Sequence, residues 1–370
     1  MKTNQVAVKS SRKSSSSYVM KAKAKKAVIS IVRGLLIFGL CFMIIQPMVT
    51  RFATSLMAEK DLYDSTIVIL PRNPTTDNYR IVSELVNTSK PVFGNFGAVR
   101  EAFTNSSNAF VGVFKAIGAF FACFGFGGNS IYNTLLISLF VSLLQVISCT
   151  LVSYGFARYE FPLKKFWFAC VVALIIIPPQ TIGSSLQLSF AQFDIFGIFK
   201  ATTGSTLNLR SSVLPYVLMC LTCMGLKDGL YIYMLRQYFR GIPKSLEEAA
   251  YVDGCSTLRT FCEIMLPDAI PTIASCFLFS FVWQWTDLFY TRTFLATSYR
   301  PFLATEMSTM VSRMSRYFSA DANNPVIVSA ARQQQLISIA VLFCCIPLVI
   351  LYCFTQRTFV QSIAMSGSKE

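Results

Sequence analysis

Long apolar runs separated by short basic loops dominate the sequence. Six of these runs reach bilayer-spanning length, since a helix needs roughly 20 residues to cross about 30 Å of hydrocarbon. This pattern predicts an all-α polytopic membrane protein with six transmembrane helices. The predicted spans are approximately 28–50, 133–156, 166–187, 212–235, 269–291 and 334–355.

One further apolar stretch, 109–126, is short, rich in Phe and Gly, and carries Lys115. We interpret it as a helix lying at the outer interface or packed on the bundle. The alternative is a seventh span, but that would place the basic loops after the second span outside the cell.

Lys and Arg in the short loops set the orientation, because cytoplasmic loops of membrane proteins carry an excess of both. This rule places both chain ends in the cytoplasm, with the protein in the membrane that encloses it. The predicted parts are a basic disordered tail (1–26), a first transmembrane helix (27–50), an extracytoplasmic segment (51–132), a five-helix core (133–356) with a cytoplasmic loop (236–268), and a C-terminal tail (357–370).

Composition agrees with this class and excludes others. The chain is 54% hydrophobic and only 14% charged, against about 25% charged residues in soluble domains. The net charge of +15 lies in the tail and the loops, so we expect it to set orientation rather than to bind nucleic acid. No His is present, which excludes a Cys/His metal site and Ser-His or Cys-His nucleophile pairs. We therefore predict no catalytic residues and no metal site.

The loop between the fourth and fifth runs has the pattern of two short helices. Pro243 begins the first, and Ser245 with Glu248 matches a capping box. Gly254 can take the left-handed conformation that ends this helix, and Ser256 can cap the second, which Pro267 stops. One helical stripe of the first helix carries Leu246, Ala249, Ala250 and Asp253, and the apolar face of the second carries Leu258, Phe261, Cys262 and Met265.

Short amphipathic helices need a partner surface to be stable. One alternative is that the loop packs only on its own bundle. Another is a helix-turn-helix that reads DNA, but the tether of about a dozen residues per helix leaves little reach into a major groove.

These residues resemble the EAA motif of bacterial ABC importer permeases. Seven positions match at the family's spacing: Glu248, Ala249, Ala250, Gly254, Ile264, Leu266 and Pro267. Asp253 lies within the same motif. The resemblance implies that this loop is a coupling helix that docks on a nucleotide-binding subunit, with Glu248 and Gly254 central to the contact.

The resemblance extends over most of the chain after residue 65 and favours the MalG-like carbohydrate branch. It leaves out the basic tail, and Thr286 stands where the branch often has Asn. The similar stretches are 70–79, 133–135, Arg158, 235–239, 285–287 and 356–360.

Several expectations follow from that resemblance. The fold would be that of a type I ABC importer permease, working by alternating access on a sugar or oligosaccharide. The partners would be a second, MalF-like permease subunit, two cytoplasmic ATPase subunits, an extracytoplasmic sugar-binding protein and the lipid bilayer. ATP and Mg²⁺ would be bound by the ATPase, because this chain has no GxxxxGK[ST] loop. The alternatives are an importer of a peptide, amino acid or polyol phosphate, and a six-span membrane enzyme or sensor.

Polar residues within the apolar runs are candidates for the translocation path. Charged residues inside a bilayer usually face a cavity or each other, and aromatic rings stack on sugar faces. The alternatives are a helix that dips to the interface at 227–228 and an aromatic belt at 283–287. The candidates are Lys227, Asp228, Trp283, Gln284 and Asp287.

Overall fold

The computed structural model describes residues 2–86 except 65, 68 and 69, isolated residues between 100 and 116, residues 129–319 except 195, 196, 198, 199, 202–205, 211 and 296–300, and residues 327–367. The predicted interfacial helix at 109–126 therefore lies almost wholly outside the described residues.

The main helices of the described residues are α1 (Lys2–Ser55), α2 (Asp77–Leu85), α3 (Ser130–Arg158), α4 (Lys164–Ile176), α5 (Gly183–Ala191), α6 (Leu214–Leu221), α7 (Asp228–Gly241), α8 (Lys244–Val252), α9 (Thr257–Thr286), α10 (Leu303–Tyr317) and α11 (Ala330–Gly367).

Helix α3 is the central element of the bundle and packs against α6, α7 and α9. The burial pattern of α3 is the reverse of that of a helix in a soluble protein, because its buried stripe is polar and its exposed stripe is aliphatic. Small polar side chains allow helices to approach closely in a membrane and to bond across the interface. The buried stripe is Ser138, Ser142, Gln145, Cys149 and Ser153, and the exposed stripe is Leu135, Leu139, Leu143, Ile147 and Leu151.

Residues 2–26, for which the sequence predicted a disordered tail at 1–26, form the first part of α1 in the structure. The segment before Gly34 contains no Pro or Gly, and from Met20 to Ala27 it consists of strong helix formers. Extending an existing helix avoids the cost of nucleation. The apolar part of α1, within Lys25–Ser55, is long enough to span a membrane.

The third predicted span, 166–187, is not one straight helix. Helix α4 ends at Ile176, a second helical segment runs over Pro179–Ala191, and the two meet at 100°. Ile177 and Pro178 are extended, because a residue before Pro is forced out of the helical region and Pro has no N–H to donate.

The fourth predicted span, 212–235, is divided into α6 and α7 by a break at 222–227. The break contains Cys223 and Lys227 with positive φ. Its backbone groups are bonded inside the protein, since Gln145 of α3 donates to the Leu226 carbonyl oxygen at 2.7 Å and Ser148 donates to the Cys220 carbonyl oxygen at 2.6 Å.

Buried side chains hold this break at the centre of the bundle. The Asp228 carboxylate, at the start of α7, accepts bonds from the Gln145 amide and the Gly225 N–H. The Gln145 carbonyl oxygen accepts a bond from Ser280 of α9. Gly229 lets α7 approach α4, because a Cβ there would lie 2.6 Å from the Val171 carbonyl oxygen.

Within the described residues, four helices are long and apolar enough to cross a membrane, or five if the bent pair counts as one span. The structure is thus an all-helical multi-span bundle, and the count of six continuous helices is wrong for the third and fourth spans. The long helices correspond to the first, second, fifth and sixth predicted spans, and are Lys25–Ser55, Ser130–Arg158, Thr257–Thr286 and Ala330–Arg357.

The segment after α1 folds back on the start of α11. The Asp61 carboxylate accepts bonds from the Asn73 N–H at 2.8 Å and from the Asn73 amide at 3.1 Å. Asn78 of α2 donates to the Met57 carbonyl oxygen and accepts a bond from Arg332. These contacts fix the described part of the predicted extracytoplasmic segment to the bundle.

We predict that Gln145→Ala destabilises the protein, because it leaves the Asp228 carboxylate and the Leu226 carbonyl oxygen without their amide donor. The free energy of unfolding should fall by about 2 kcal/mol, the usual cost of an unpaired buried polar group. The measurement is an SDS titration of the purified protein in mixed micelles. The control is Leu139→Ala, on the exposed face of the same helix, with an expected change below about 0.5 kcal/mol. Equal losses for both variants would contradict this role of Gln145.

Candidate coupling loop and membrane cavity

The loop predicted to be cytoplasmic begins at the start of α8. Pro243 is the N-cap, with extended backbone, and Ser245 lies inside the helix. No side chain caps this N-terminus, so the predicted capping box of Ser245 with Glu248 is wrong. Pro243 already presets the backbone that enters the helix, and the helix begins two residues earlier than it would if Ser245 were its N-cap.

The two faces of α8 differ from the predicted single stripe. Ala250 is buried against the bundle, whereas Leu246, Ala249 and Asp253 are exposed. Glu248 is also exposed. The exposed face therefore consists of apolar, small and acidic residues, and it is available to a partner.

Gly254 ends α8 as predicted. Its φ is +81°, a conformation that non-glycine residues adopt only with strain. The Cys255 N–H donates to the Ala250 carbonyl oxygen at 2.9 Å, and the Gly254 N–H donates to the Tyr251 carbonyl oxygen at 3.1 Å. This pair of bonds is a Schellman motif, and it fixes the direction in which the chain enters α9.

Helix α9 begins at the predicted cap, where the Ser256 hydroxyl accepts a bond from the Arg259 N–H at 3.4 Å. The predicted stripe is split, because Phe261 and Met265 are buried while Leu258 and Cys262 are exposed.

Pro267 does not end α9, which corrects the prediction of a separate second helix. The helix continues into the membrane as far as Thr286 through a wider π turn at Phe261–Met265. A proline ring conflicts with the carbonyl four residues earlier, here that of Glu263, and the wide turn lies at that carbonyl. Ile264 and Leu266 are half-buried along this turn, and Pro267 is exposed.

Glu247 is the residue that the sequence reasoning missed. Its carboxylate Oε1 lies 3.2 Å from Arg158 Nε and accepts a bond from the Tyr154 hydroxyl at 3.1 Å. Both Arg158 and Tyr154 belong to the C-terminal end of α3. Adjacent residues on a helix point about 100° apart, so the pair Glu247–Glu248 indicates that one acid faces the bundle, but not which one.

A cavity of about 530 Å³ lies between the bent third span and the end of α9. Its lining combines an aromatic ring, amides, hydroxyls and an arginine, which is a set able to stack on and hydrogen-bond to a polar solute. Lining side chains include Gln180, Gln187, Trp283, Thr286, Asp287 and Arg292.

The structure brings Trp283 and Asp287 to this cavity. The Lys227 ammonium lies beside it, 5.1 Å from the centre of the Trp283 ring. The Asp287 carboxylate accepts bonds from the Tyr216 hydroxyl at 2.7 Å and the Thr291 N–H at 3.1 Å. Asp287 therefore also fixes the corner that follows α9.

Asp228 and Gln284 lie in the interior of the bundle and are not among the cavity-lining residues. Both bond to Gln145, with the Gln284 amide 3.4 Å from its carbonyl oxygen. Arg292, which the sequence reasoning did not single out, lies on the cavity. Within the described ranges, no group of three or more His, Cys, Asp or Glu side chains is placed to hold a metal ion.

Comparison with known families gives a match over residues 149–365 to the model described as binding-protein-dependent transport system inner membrane component. The matched region contains the coupling loop and the cavity.

Individual relatives match over shorter stretches. The chain is 33% identical over 168 residues to the osmoprotective compounds uptake permease protein GgtD of Synechocystis sp., covering 45% of this chain and 51% of that protein. It is 27% identical over 242 residues to the melibiose/raffinose/stachyose import permease protein MelC of Bacillus subtilis, covering 65% of this chain and 76% of that protein. The chain thus spans about half the length of the first of these relatives.

Among solved structures, the fold is similar to a chain in the crystal structure of a bacterial ABC transporter involved in the import of the acidic polysaccharide alginate. The TM-score is 0.54 at 13% identity, over 90% of this chain and 96% of that one. At this identity, the likeness concerns the fold alone.

We predict that Gly254→Ala and Gly155→Ala change stability in opposite directions. Alanine at position 254 must hold a left-handed backbone, which costs roughly 1–2 kcal/mol. Gly155 lies inside α3, where a Cβ meets nothing within 4 Å, and alanine there should add up to about 1 kcal/mol of helix propensity. Thermal unfolding of the two purified variants checks both signs. A stabilised Gly254→Ala variant would contradict the turn geometry.

Proposed function

Because this chain belongs to the family of binding-protein-dependent transport system inner membrane components, we propose that it is the permease subunit of an ATP-driven importer. The observation that carries the proposal is the coupling loop, an apolar exposed surface held rigidly at the cytoplasmic end of the bundle. In this proposal the chain performs no bond chemistry itself.

The exposed side chains of the loop support a docking role. Val252 is 87% exposed and Leu258 is 71% exposed, although the Schellman turn between them is rigidly bonded. Clustered apolar exposure on an ordered surface marks an interaction site. We assign the docking contacts to the exposed residues of the EAA motif, above all Glu248, with Ala249 and Asp253 beside it.

The proposed partner of this surface is one of two cytoplasmic ATPase subunits, which bind ATP and Mg²⁺. The loop's charges, Glu248 and Asp253 among them, require a partner groove that combines apolar and basic groups. Closure of the ATPase pair would push the loop and rotate the spans, opening the cavity outward, and hydrolysis would return it to the inward state.

We propose six membrane crossings, with both ends in the cytoplasm of a bacterial cell. In this topology the bent pair α4–α5 forms the third crossing and α6 with α7 forms the fourth. The buried bonding of the break at 222–227 supports this, because backbone leaves a helix inside a bilayer only where protein satisfies it.

We propose that the cargo is a sugar or oligosaccharide. Trp283 beside amides and hydroxyls on the cavity supports a solute with many hydroxyl groups, and the import permease for melibiose, raffinose and stachyose is among the relatives. The similarity to a permease for osmoprotective compounds keeps a non-sugar solute as the second candidate. A second, MalF-like permease would complete the pore, and an external binding protein would deliver the cargo.

The coupling assignment predicts that Glu248→Arg reduces binding of the ATPase subunit. Reversing an exposed charge at a docking surface places like charges together, which costs several kcal/mol across an interface. The measurement is the amount of ATPase that co-purifies with the tagged permease.

The control is Glu160→Arg, a charge reversal of an exposed residue in another cytoplasmic loop, and this variant should retain the ATPase. The assignment is wrong if both variants retain it equally and transport-coupled hydrolysis is unchanged.

A further inference from the structure

Two adjacent glutamates in α8 lie on different faces of the helix. Glu248 is exposed, whereas the Glu247 side chain is 11% exposed and its ion-pair partner Arg158 is 6% exposed. Removing one partner of an ion pair that is shielded from water leaves an uncompensated buried charge, which is strongly destabilising. Glu247 therefore belongs to the bundle and Glu248 to the docking surface.

Arg158 joins the end of α3 to both sides of the coupling loop. Beside its ion pair with Glu247, its guanidinium Nη2 donates to the Ile242 carbonyl oxygen at 2.9 Å, at the residue before Pro243. The Tyr154 ring, whose hydroxyl donates to Glu247, packs against the ring of Phe261 in α9 with centroids 4.6 Å apart. The end of α7, helix α8 and the start of α9 thus all contact the C-terminal end of α3.

Helix α3 also carries Gln145, which bonds to several groups at the centre of the bundle. Gln145 lies 13 residues before Arg158 on α3, a distance of about 20 Å at 1.5 Å per residue. It bonds to the Leu226 carbonyl oxygen and to Ser280. Leu226 lines the cavity, and Ser280 lies one turn before Trp283.

We propose that the Arg158–Glu247 ion pair is the joint through which the coupling helix moves α3, and that α3 carries this displacement to the cavity. Glu247, Arg158 and Tyr154 are positioning residues, because they act on the cavity through α3. The proposal rests on the proposed function, but it concerns the link between docking and transport rather than docking itself.

Glu248 and Glu247 are therefore expected to have different effects when they are replaced, one on docking and the other on coupling. Loss of the Glu248 contact should weaken docking of the ATPase. Loss of the Glu247 contact should leave docking intact, because Glu247 is buried and lies off the exposed docking face of α8. It should disconnect hydrolysis from movement of the cavity.

The test uses the full importer, with its ATPase and second permease, reconstituted in liposomes of phosphatidylethanolamine and phosphatidylglycerol. The variants are Glu247→Gln, Arg158→Gln, the single reversals Glu247→Arg and Arg158→Glu, and the double reversal. ATPase co-purification, ATP hydrolysis and uptake of the cargo delivered by the binding protein are measured on each, and uptake is expressed per ATP hydrolysed.

We expect Glu247→Gln to retain the ATPase and its hydrolysis, while uptake per ATP falls about tenfold, within the usual range of a coupling between sites. The double reversal should exceed both single reversals in uptake per ATP. The matched control is the Lys164–Glu160 pair, at 2.9 Å on the same side of the membrane and with an exposed Glu160, where Glu160→Gln should leave uptake per ATP unchanged.

Unchanged uptake per ATP in Glu247→Gln would overturn the proposal, and so would a double reversal no better than the worse single reversal. If Glu247→Gln does not assemble, Tyr154→Phe takes its place, since it removes one bond to Glu247 and keeps the ion pair. It should lower uptake per ATP by a smaller factor, and no change there would also overturn the proposal. An ATPase that fails to co-purify with the unmodified chain would instead refute the proposed function.

Discussion

Inside a bilayer, a backbone group that leaves a helix must find its hydrogen-bond partner within the protein. This constraint shapes the centre of the molecule. The fourth predicted span is broken at 222–227, and the freed carbonyl oxygens of Cys220 and Leu226 are bonded by Ser148 and Gln145 of α3. The polar stripe of α3 is therefore the scaffold on which the broken span depends, while its aliphatic stripe faces outward.

That scaffold explains where the irregular elements lie. The cavity is bounded by the bend after α4 and by the corner at Asp287, both of which are departures from regular helix. The candidate coupling loop contains two further irregularities, the left-handed Gly254 and the π turn at Phe261–Met265. Rigid helices connect these places, so a displacement at the loop has a defined route to the cavity.

The sequence predicted the features that depend on local chemistry. Gly254 ends α8, Ser256 caps α9, and the long apolar runs of α3 and α11 form long helices. It did not predict features that depend on neighbours. The inward side of α8 could not be assigned to Glu247 rather than Glu248 without knowing the position of Arg158.

Prolines bend one predicted span and are accommodated inside another helix, depending on how many donors they remove and on the turn that precedes them. Two consecutive prolines at 178–179 remove two donors and bend the third span. Pro267 is accommodated within α9 by the wide turn that precedes it. From sequence, the polar pair at 227–228 fits either a lining of the translocation path or a helix that dips to the interface. The structure gives the two residues different surroundings. Asp228 is buried among donors from Gln145 and Gly225, and Lys227 lies over Trp283.

The central claim, that the loop is the docking surface for an ATPase, is tested most directly by site-specific photo-crosslinking in the assembled complex. A benzophenone amino acid replaces Val252 in one variant and Ile327, which is 93% exposed near the start of α11, in another. The account predicts that the Val252 variant forms an adduct containing the ATPase subunit and that the Ile327 variant does not. An ATPase adduct from position 327, or none from position 252 in a complex that retains the ATPase, would contradict it.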